Sequence, residues 1–338
     1  MRVAVIGAGG WGTALALLAA RAGHGVRLWS RGAAVAEDVN VRRVNGAYLP
    51  GHELPEGVSA TTDAGEAVEG AGLVILAAPS HATRAVLGLL GGRTAGGAVF
   101  VSATKGVEVE TGLRISEVVA DVLGPSAFSS FVCLSGPSFA QEVAAGQPAA
   151  VVAAGADEEL ARLVQGALSV QNFRVYTNAD VVGTELGGAT KNVMALAAGM
   201  VAGLDLGSNS VAALVTRGLA EMTRLALAYG ARAETLMGLA GLGDLVLTCT
   251  GGLSRNRRVG EEIGRGRAPG EVLAGMKEVA EGVRTARAVK MLAERRGVEM
   301  PITTEVHAVL HEGKSARDAV ESLMSRPLKG EFEGAEKK

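Results

Sequence analysis

The period of apolar and polar positions changes once along the chain. In the first half, short β-branched runs alternate with Ala- and Leu-rich stretches of helical spacing. Strands are predicted over 2–6, 26–29, 73–77, 98–102, 131–134 and 149–153, and helices over 13–22, 81–90, 112–122 and 158–168. Alternation of this kind predicts parallel strands joined by crossover helices. The strand runs read as largely continuous apolar runs, as expected when both faces are covered. After about Tyr176 the strand signal stops. Helices are then predicted over 182–202, 210–229, 257–264, 283–296, 303–311 and 316–324, with a turn-rich stretch running up to Gly252. The fold class expected is a doubly wound, mostly parallel α/β sheet followed by an all-α domain. The divisions fall at 1–180, 181–328 and a charged tail, 329–338, expected to fray. No internal repeat is visible.

Composition sharpens this picture. Of 338 residues, 48 are Gly, without a collagen-like period, and aromatics make up only 3%. The core must then be built from aliphatic residues and Ala, with backbones close together. A formal net charge of −2 and a pI near 6.3 argue against a general nucleic-acid binder. Cys133 and Cys249 lie in apolar runs and give no disulfide framework, so both are expected as buried free thiols in a reducing compartment. The opening MRVAVIGAGGWG lacks the small-residue cleavage pattern of an export signal. The longest charge-free stretch, 122–141, holds Pro125 and Pro137 and would span a membrane poorly. A cytoplasmic protein without membrane insertion is expected. The histidines and cysteines show no ligand spacing, so no metal is expected.

Gly7-Ala8-Gly9-Gly10-Trp11-Gly12 fits G-x-G-x-x-G after a predicted strand and at the opening of a predicted helix. In that context Gly7 permits the tight turn and Gly9 lets the backbone approach a pyrophosphate. Gly12 lets helix and strand pack closely, and the helix N-terminus supplies N–H donors. The N-terminal domain is therefore expected to be a Rossmann domain, with Gly7, Gly9, Gly10, Trp11 and Gly12 at its cofactor. Where NAD-specific enzymes place an acid after the second strand, this chain has Ser30-Arg31. Arg31 could bind a 2′-phosphate, so NADP(H) is expected to be accepted; the alternative is a solvated surface charge. Lys105, after the strand ending at Ser102, could simply be exposed; at this ligand-binding edge it is expected as a cation beside the nicotinamide or the substrate.

Lys191 stands alone in a helical run of small apolar residues. A buried ammonium must be paired or lose its proton readily, and lysines of lowered pKa serve as general bases. Alternatively, Lys191 snorkels to solvent. Asp244, between glycines and apolar residues, could cap a turn or serve as counter-charge to Lys191. Ser254, Arg255 and Asn256 offer a hydroxyl, a guanidinium and an amide at a helix start, a good phosphate cradle.

Together GAGGWGTAL (7–15), ATKG (103–106), SGPSFA (135–140), GGATKN (187–192), AGLGDL (240–245) and TCTGGLSRNRR (248–258) resemble the bacterial NAD(P)-dependent glycerol-3-phosphate dehydrogenases, in order and over nearly the whole chain. One departure is Gly10, where the family often has Ser. The resemblance implies reversible hydride transfer between NAD(P)H and dihydroxyacetone phosphate to give sn-glycerol 3-phosphate for phospholipid synthesis. It implies Lys191 as general base, with Asp244, and substrate contacts from Lys105, Gly136, Ser138, Lys191, Asp244, Ser254, Arg255 and Asn256. It further implies cofactor contacts from Lys105, Ala140, Arg255, Val279 and Glu281, and a homodimer formed through the helical domain. Two rivals remain: a hydroxy-acid or sugar-acid dehydrogenase of the same layout, and a dinucleotide sensor without chemistry.

Overall fold

The computed structural model describes residues 1–90, 92–94, 97–276, 280–328 and 330–331. Most of the tail expected at 329–338, and Val279 with it, lies outside them. Within the described residues, eight strands form one sheet: β1 (Arg2–Ile6), β2 (Gly25–Trp29), β5 (Val58–Thr61), β6 (Leu73–Leu76), β7 (Val99–Ser102), β8 (Phe131–Ser135), β9 (Ala149–Gly155) and β10 (Phe173–Asn178). Their order is β10-β9-β8-β7-β6-β1-β2-β5, and every pair is parallel except β8 with β9. A separate antiparallel hairpin joins β3 (Val44–Asn45) to β4 (Leu49–Glu53).

Side chains alternate across the sheet into two cores. Val3 and Val5 face one, with Leu15 and Leu18 of α1 (Gly10–Arg21). Ala4 and Ile6 face the other, with Leu87, Val118 and Val119. Both faces are covered, as the unbroken apolar runs require. The covering helices are α2 (Ala33–Glu37), α3 (Ala64–Val68), α4 (Ser80–Gly88), α5 (Ile115–Leu123), α6 (Pro125–Ser129), α7 (Ala140–Ala144) and α8 (Glu158–Leu168). Strands run outward from β1 in both directions, to β2 on one side and β6 on the other, so a crevice opens at the carboxyl ends of β1 and β6.

From residue 181 onward the described elements are helical. They are α9 (Val181–Gly203), α10 (Gly207–Ala228), α11 (Ala233–Met237), α12 (Asp244–Thr250), α13 (Arg255–Gly264), α14 (Pro269–Ala274), α15 (Glu281–Arg295), α16 (Pro301–His311) and α17 (Ala316–Met324). α9 is buried all round from Gly183 to Val201 and forms the axis of a third core. α13 crosses it with the backbones in contact. A methyl group on Gly199 or Gly203 would strike the carbonyl oxygens of Arg257 or Glu261, and one on Gly260 would strike that of Leu196. The closeness implied by the glycine count is concentrated here.

Several elements differ from expectation. β5 and β10 are the two edge strands of the sheet, half exposed, and neither carries an unbroken apolar run. The stretch before Gly252, expected as turns, holds α11, a π-helical turn (Leu239–Gly243) and α12. Both cysteines are buried and free.

Candidate active site

At the crevice, the chain leaves β1 through Gly7, whose φ of +122° favours glycine. A methyl group there would lie 2.9 Å from the Ala77 carbonyl, and one on Gly12 would collide with the Gly7 oxygen. Gly9, by contrast, has nothing within 4 Å of where its side chain would stand. The N-cap residue of α1 is Gly9, which has no side chain to cap the helix, so among the described residues its first N–H groups are left without a side-chain cap from that position. An open backbone cradle under a helix N-terminus is the shape a pyrophosphate needs, and these residues fit a bound dinucleotide. Gly10 is flanked by the Tyr48 carbonyl and the Ala140 methyl, at 2.8 Å and 3.9 Å from its absent side chain. The Trp11 indole N–H is buried without a partner among the described residues. Arg31 is exposed just past β2, and Ser30 is buried with its hydroxyl on the Gly32 carbonyl.

The second half of the site is a buried charge cluster. The Lys191 ammonium, on α9, donates to Asp244 Oδ1 at 2.5 Å and to the Thr248 hydroxyl at 2.9 Å. The Lys105 ammonium, just past β7, donates to Asp244 Oδ2 at 2.8 Å and to the Gly136 carbonyl at 2.8 Å. Lys191 therefore does not snorkel, and Asp244 does not merely cap a turn: one carboxylate joins two ammoniums from both halves of the chain. Burial drives the Lys191 pKa down to about 8, against the pull of Asp244. Burial works to raise the Asp244 carboxyl, but Lys105 and Lys191 outweigh it and hold the group below the usual range. Gly136 has a φ of +134°, and its backbone packs against Val151, which turns the carbonyl toward Lys105. Ser138 donates to that same carbonyl at 2.9 Å.

Around the cluster, Asn192 donates to the Lys105 carbonyl at 3.3 Å and accepts from Asn256 at 3.0 Å. Asn256 in turn accepts from the Gly282 N–H at 3.0 Å. Ser254 caps α13 by accepting from the Arg257 N–H, and Arg255 stands exposed beside it. Glu281 accepts from the Ser80 N–H at 3.0 Å, linking α15 to the start of α4. Burial raises its carboxyl, opposed by that N–H and by the charge of Arg255. Of the residues expected here, Val279 alone lies outside the described residues.

Two family models divide the chain between them. The one described as NAD-dependent glycerol-3-phosphate dehydrogenase N-terminus matches residues 2–161, and its C-terminus counterpart matches 180–321. The chain belongs to the NAD-dependent glycerol-3-phosphate dehydrogenase family. A glycerol-3-phosphate dehydrogenase (NAD(P)+) of Koribacter versatilis is 56% identical over 328 residues, 96% of this chain and 97% of that one. A second, from Geobacter sulfurreducens, is 53% identical over 330 residues, 98% of each. A glycerol-3-phosphate dehydrogenase crystal structure from Coxiella burnetii superposes with a TM-score of 0.91 at 41% identity, covering 96% of this chain and 99% of that one.

In this member of the glycerol-3-phosphate dehydrogenase family, three polar groups at the site escape a reading of the sequence. Thr248 sits one turn after Asp244 on α12, a spacing that could have paired them on one face. Asn192 follows Lys191 directly, yet only the fold shows that it reaches Lys105. Asn45, in a two-residue strand, carries no local signal at all.

Proposed function

We propose that the protein interconverts dihydroxyacetone phosphate and sn-glycerol 3-phosphate with NAD(P)(H), and that its residues divide the work as follows. When bound over Gly7–Gly12, NAD(P)H supplies the hydride delivered to the substrate's C2. Lys191 gives a proton to the C2 oxygen as charge develops there, and takes it back in the oxidising direction. An ammonium with its pKa near 8 is suited to both tasks close to neutral pH. Asp244 orients Lys191 and Lys105 together. With both amines protonated, the three groups carry one net positive charge, complementary to a developing alkoxide. Lys105 lies next to the reacting carbon, and Gly136 and Ser138 line the substrate. Ser254, Arg255 and Asn256 hold the phosphate, with Arg255 as its charge-bearing fork.

On the cofactor side, Trp11, Ala140, Val279 and Glu281 complete the site, and Arg31 faces the 2′-phosphate of NADP(H). The chain divides into a dinucleotide domain, 1–180, and a catalytic domain, 181–328. It works as a cytoplasmic homodimer supplying glycerol 3-phosphate for phospholipid synthesis. Among the described residues no helix is long and apolar enough to cross a membrane.

The observation that carries this reading is the buried Lys191–Asp244–Lys105 cluster, whose Lys105 follows β7 at the same carboxyl edge of the sheet as the glycine loop after β1. The experiment is NADPH oxidation followed by absorbance, with dihydroxyacetone phosphate offered against dihydroxyacetone. The phosphate ester should be strongly preferred, and Arg255→Lys should erode that preference at saturating NADPH. Arg31→Ala should raise KM for NADPH more than for NADH. Equal turnover of the two ketones would sink the substrate assignment.

A further inference from the structure

The hairpin β3–β4 is an excursion outside the main sheet, and one buried side chain fastens it to the glycine loop. Asn45 is fully buried. Its amide donates to the Ala8 carbonyl at 2.9 Å and to the Thr13 hydroxyl at 2.8 Å. Its amide oxygen accepts from the Tyr48 N–H at 3.3 Å. Both ends of this one amide are thus occupied, one by the cradle and the start of α1, the other by the hairpin turn.

The surrounding geometry aims Asn45 at that task. The ladder between β3 and β4 slips between Val44 and Asn45, and such bulges re-aim a side chain. Arg43, just before, takes a left-handed φ of 58°. Its guanidinium donates to the Leu54 and Val58 carbonyls, at 3.1 Å and 2.8 Å, and also to that of Pro55, closing the base of the hairpin. On the far strand, His52 pairs with Gln141 at 3.0 Å and ties β4 to α7, which begins at Ala140. The turn so held brings the Tyr48 carbonyl against Gly10, opposite the Ala140 methyl. The glycine loop is therefore clasped between the hairpin and α7.

We propose that Asn45 is a positioning residue for the dinucleotide, holding the glycine loop and the 46–48 turn in their binding arrangement before the cofactor arrives. The inference rests on the reading of Gly7–Gly12 as the cofactor site. Preorganisation acts on binding and leaves the proton chemistry at Lys191 untouched.

The test compares Asn45→Ala, Asn45→Asp and Gly9→Val with the parent enzyme, with NADPH affinity read by fluorescence titration in the absence of substrate. Asn45→Ala should raise Kd for NADPH and NADH alike by about tenfold. At saturating cofactor, kcat and KM for dihydroxyacetone phosphate should stay within a few-fold. In the cofactor-free enzyme, the amides of residues 46–48 should exchange hydrogen faster. Asn45→Asp has the same volume but no donor for the Ala8 carbonyl, so it should not restore affinity; full rescue would mean that Asn45 only fills space, and would overturn the proposal. Asn45→Asp also keeps the test decisive should Asn45→Ala fail to fold, because it keeps the volume and the Tyr48 acceptor while removing the donor to the Ala8 carbonyl. Gly9→Val fills open space in the cradle and should abolish binding. An unchanged Kd in Asn45→Ala or Asn45→Asp, with Gly9→Val inactive in binding, overturns the proposal alone. An unchanged Kd in Gly9→Val overturns the glycine-loop reading as well.

Discussion

Lys191 shows how a single side chain sets a pH profile. Its neutral form is needed for oxidation and its protonated form for reduction. With a pKa near 8, kcat for glycerol 3-phosphate oxidation should rise through about pH 8, and kcat for ketone reduction should fall through the same range. Asp244 pulls that pKa upward, so Asp244→Asn should move both limbs to lower pH as well as slowing the reaction. Lys191→Ala should slow hydride transfer by about 10²–10⁴-fold, and Lys191→Arg should not restore it, because a guanidinium keeps its proton. Single-turnover rates across a pH series decide the matter; an Ala variant with the parent's profile would remove this lysine from the mechanism. Lys191 was legible in the sequence because a lone cation in an apolar helix must be accounted for. Asn45 was not, since amides are common and its partner at Ala8 is brought near only by the fold.

At the scale of elements, legibility followed burial. β6, β7, β8 and β9, each with two neighbours, read as nearly unbroken apolar runs, and β2 is interrupted by Arg27, whereas β5 and β10 have one neighbour each, and their solvated positions dilute the signal. α12 was hidden among glycines that serve close packing: a methyl group on Gly241 would strike the Leu236 carbonyl, and one on Gly251 would lie 2.6 Å from the Phe139 ring. The crossing of α9 and α13 reverses a familiar rule. Replacing a mid-helix glycine by alanine ordinarily stabilises a helix by about 1 kcal/mol. Gly260→Ala should instead cost about 1–3 kcal/mol, because its methyl group would press on the Leu196 carbonyl. Urea unfolding measures this, and a stabilised variant would mean that the two helices separate freely.

For the molecule as a whole, the question is what keeps the sheet and the helical half in register, since Lys105 and Lys191 must meet on one carboxylate. Glu185, on α9, accepts from the Ser116 N–H and hydroxyl, both at 2.7 Å, and from Arg114 at 2.9 Å. These donors stand at the start of α5, which packs on the sheet. The change of period near residue 180 marked where the two halves divide; this tie across them has no sequence signature, because Glu185 reads as one more polar residue near a helix start. Glu185→Ala should cost about 3 kcal/mol of unfolding free energy, leaving Arg114 largely buried with one partner fewer. The thermal midpoint should fall accordingly, and a loss below about 0.5 kcal/mol, the range of ordinary surface substitutions, would show that the halves are held elsewhere.

The contact between α9 and α13 also bears on how the chain can vary. Where two side chains meet, enlarging one can be offset by trimming the other. At Gly199 and Gly260 the atom struck is a main-chain oxygen, which every amino acid carries alike. No second change on the opposite helix can make room. A library randomising both helices together should return glycine at these positions whatever its partners become, and suppressor screens should find nothing across the crossing.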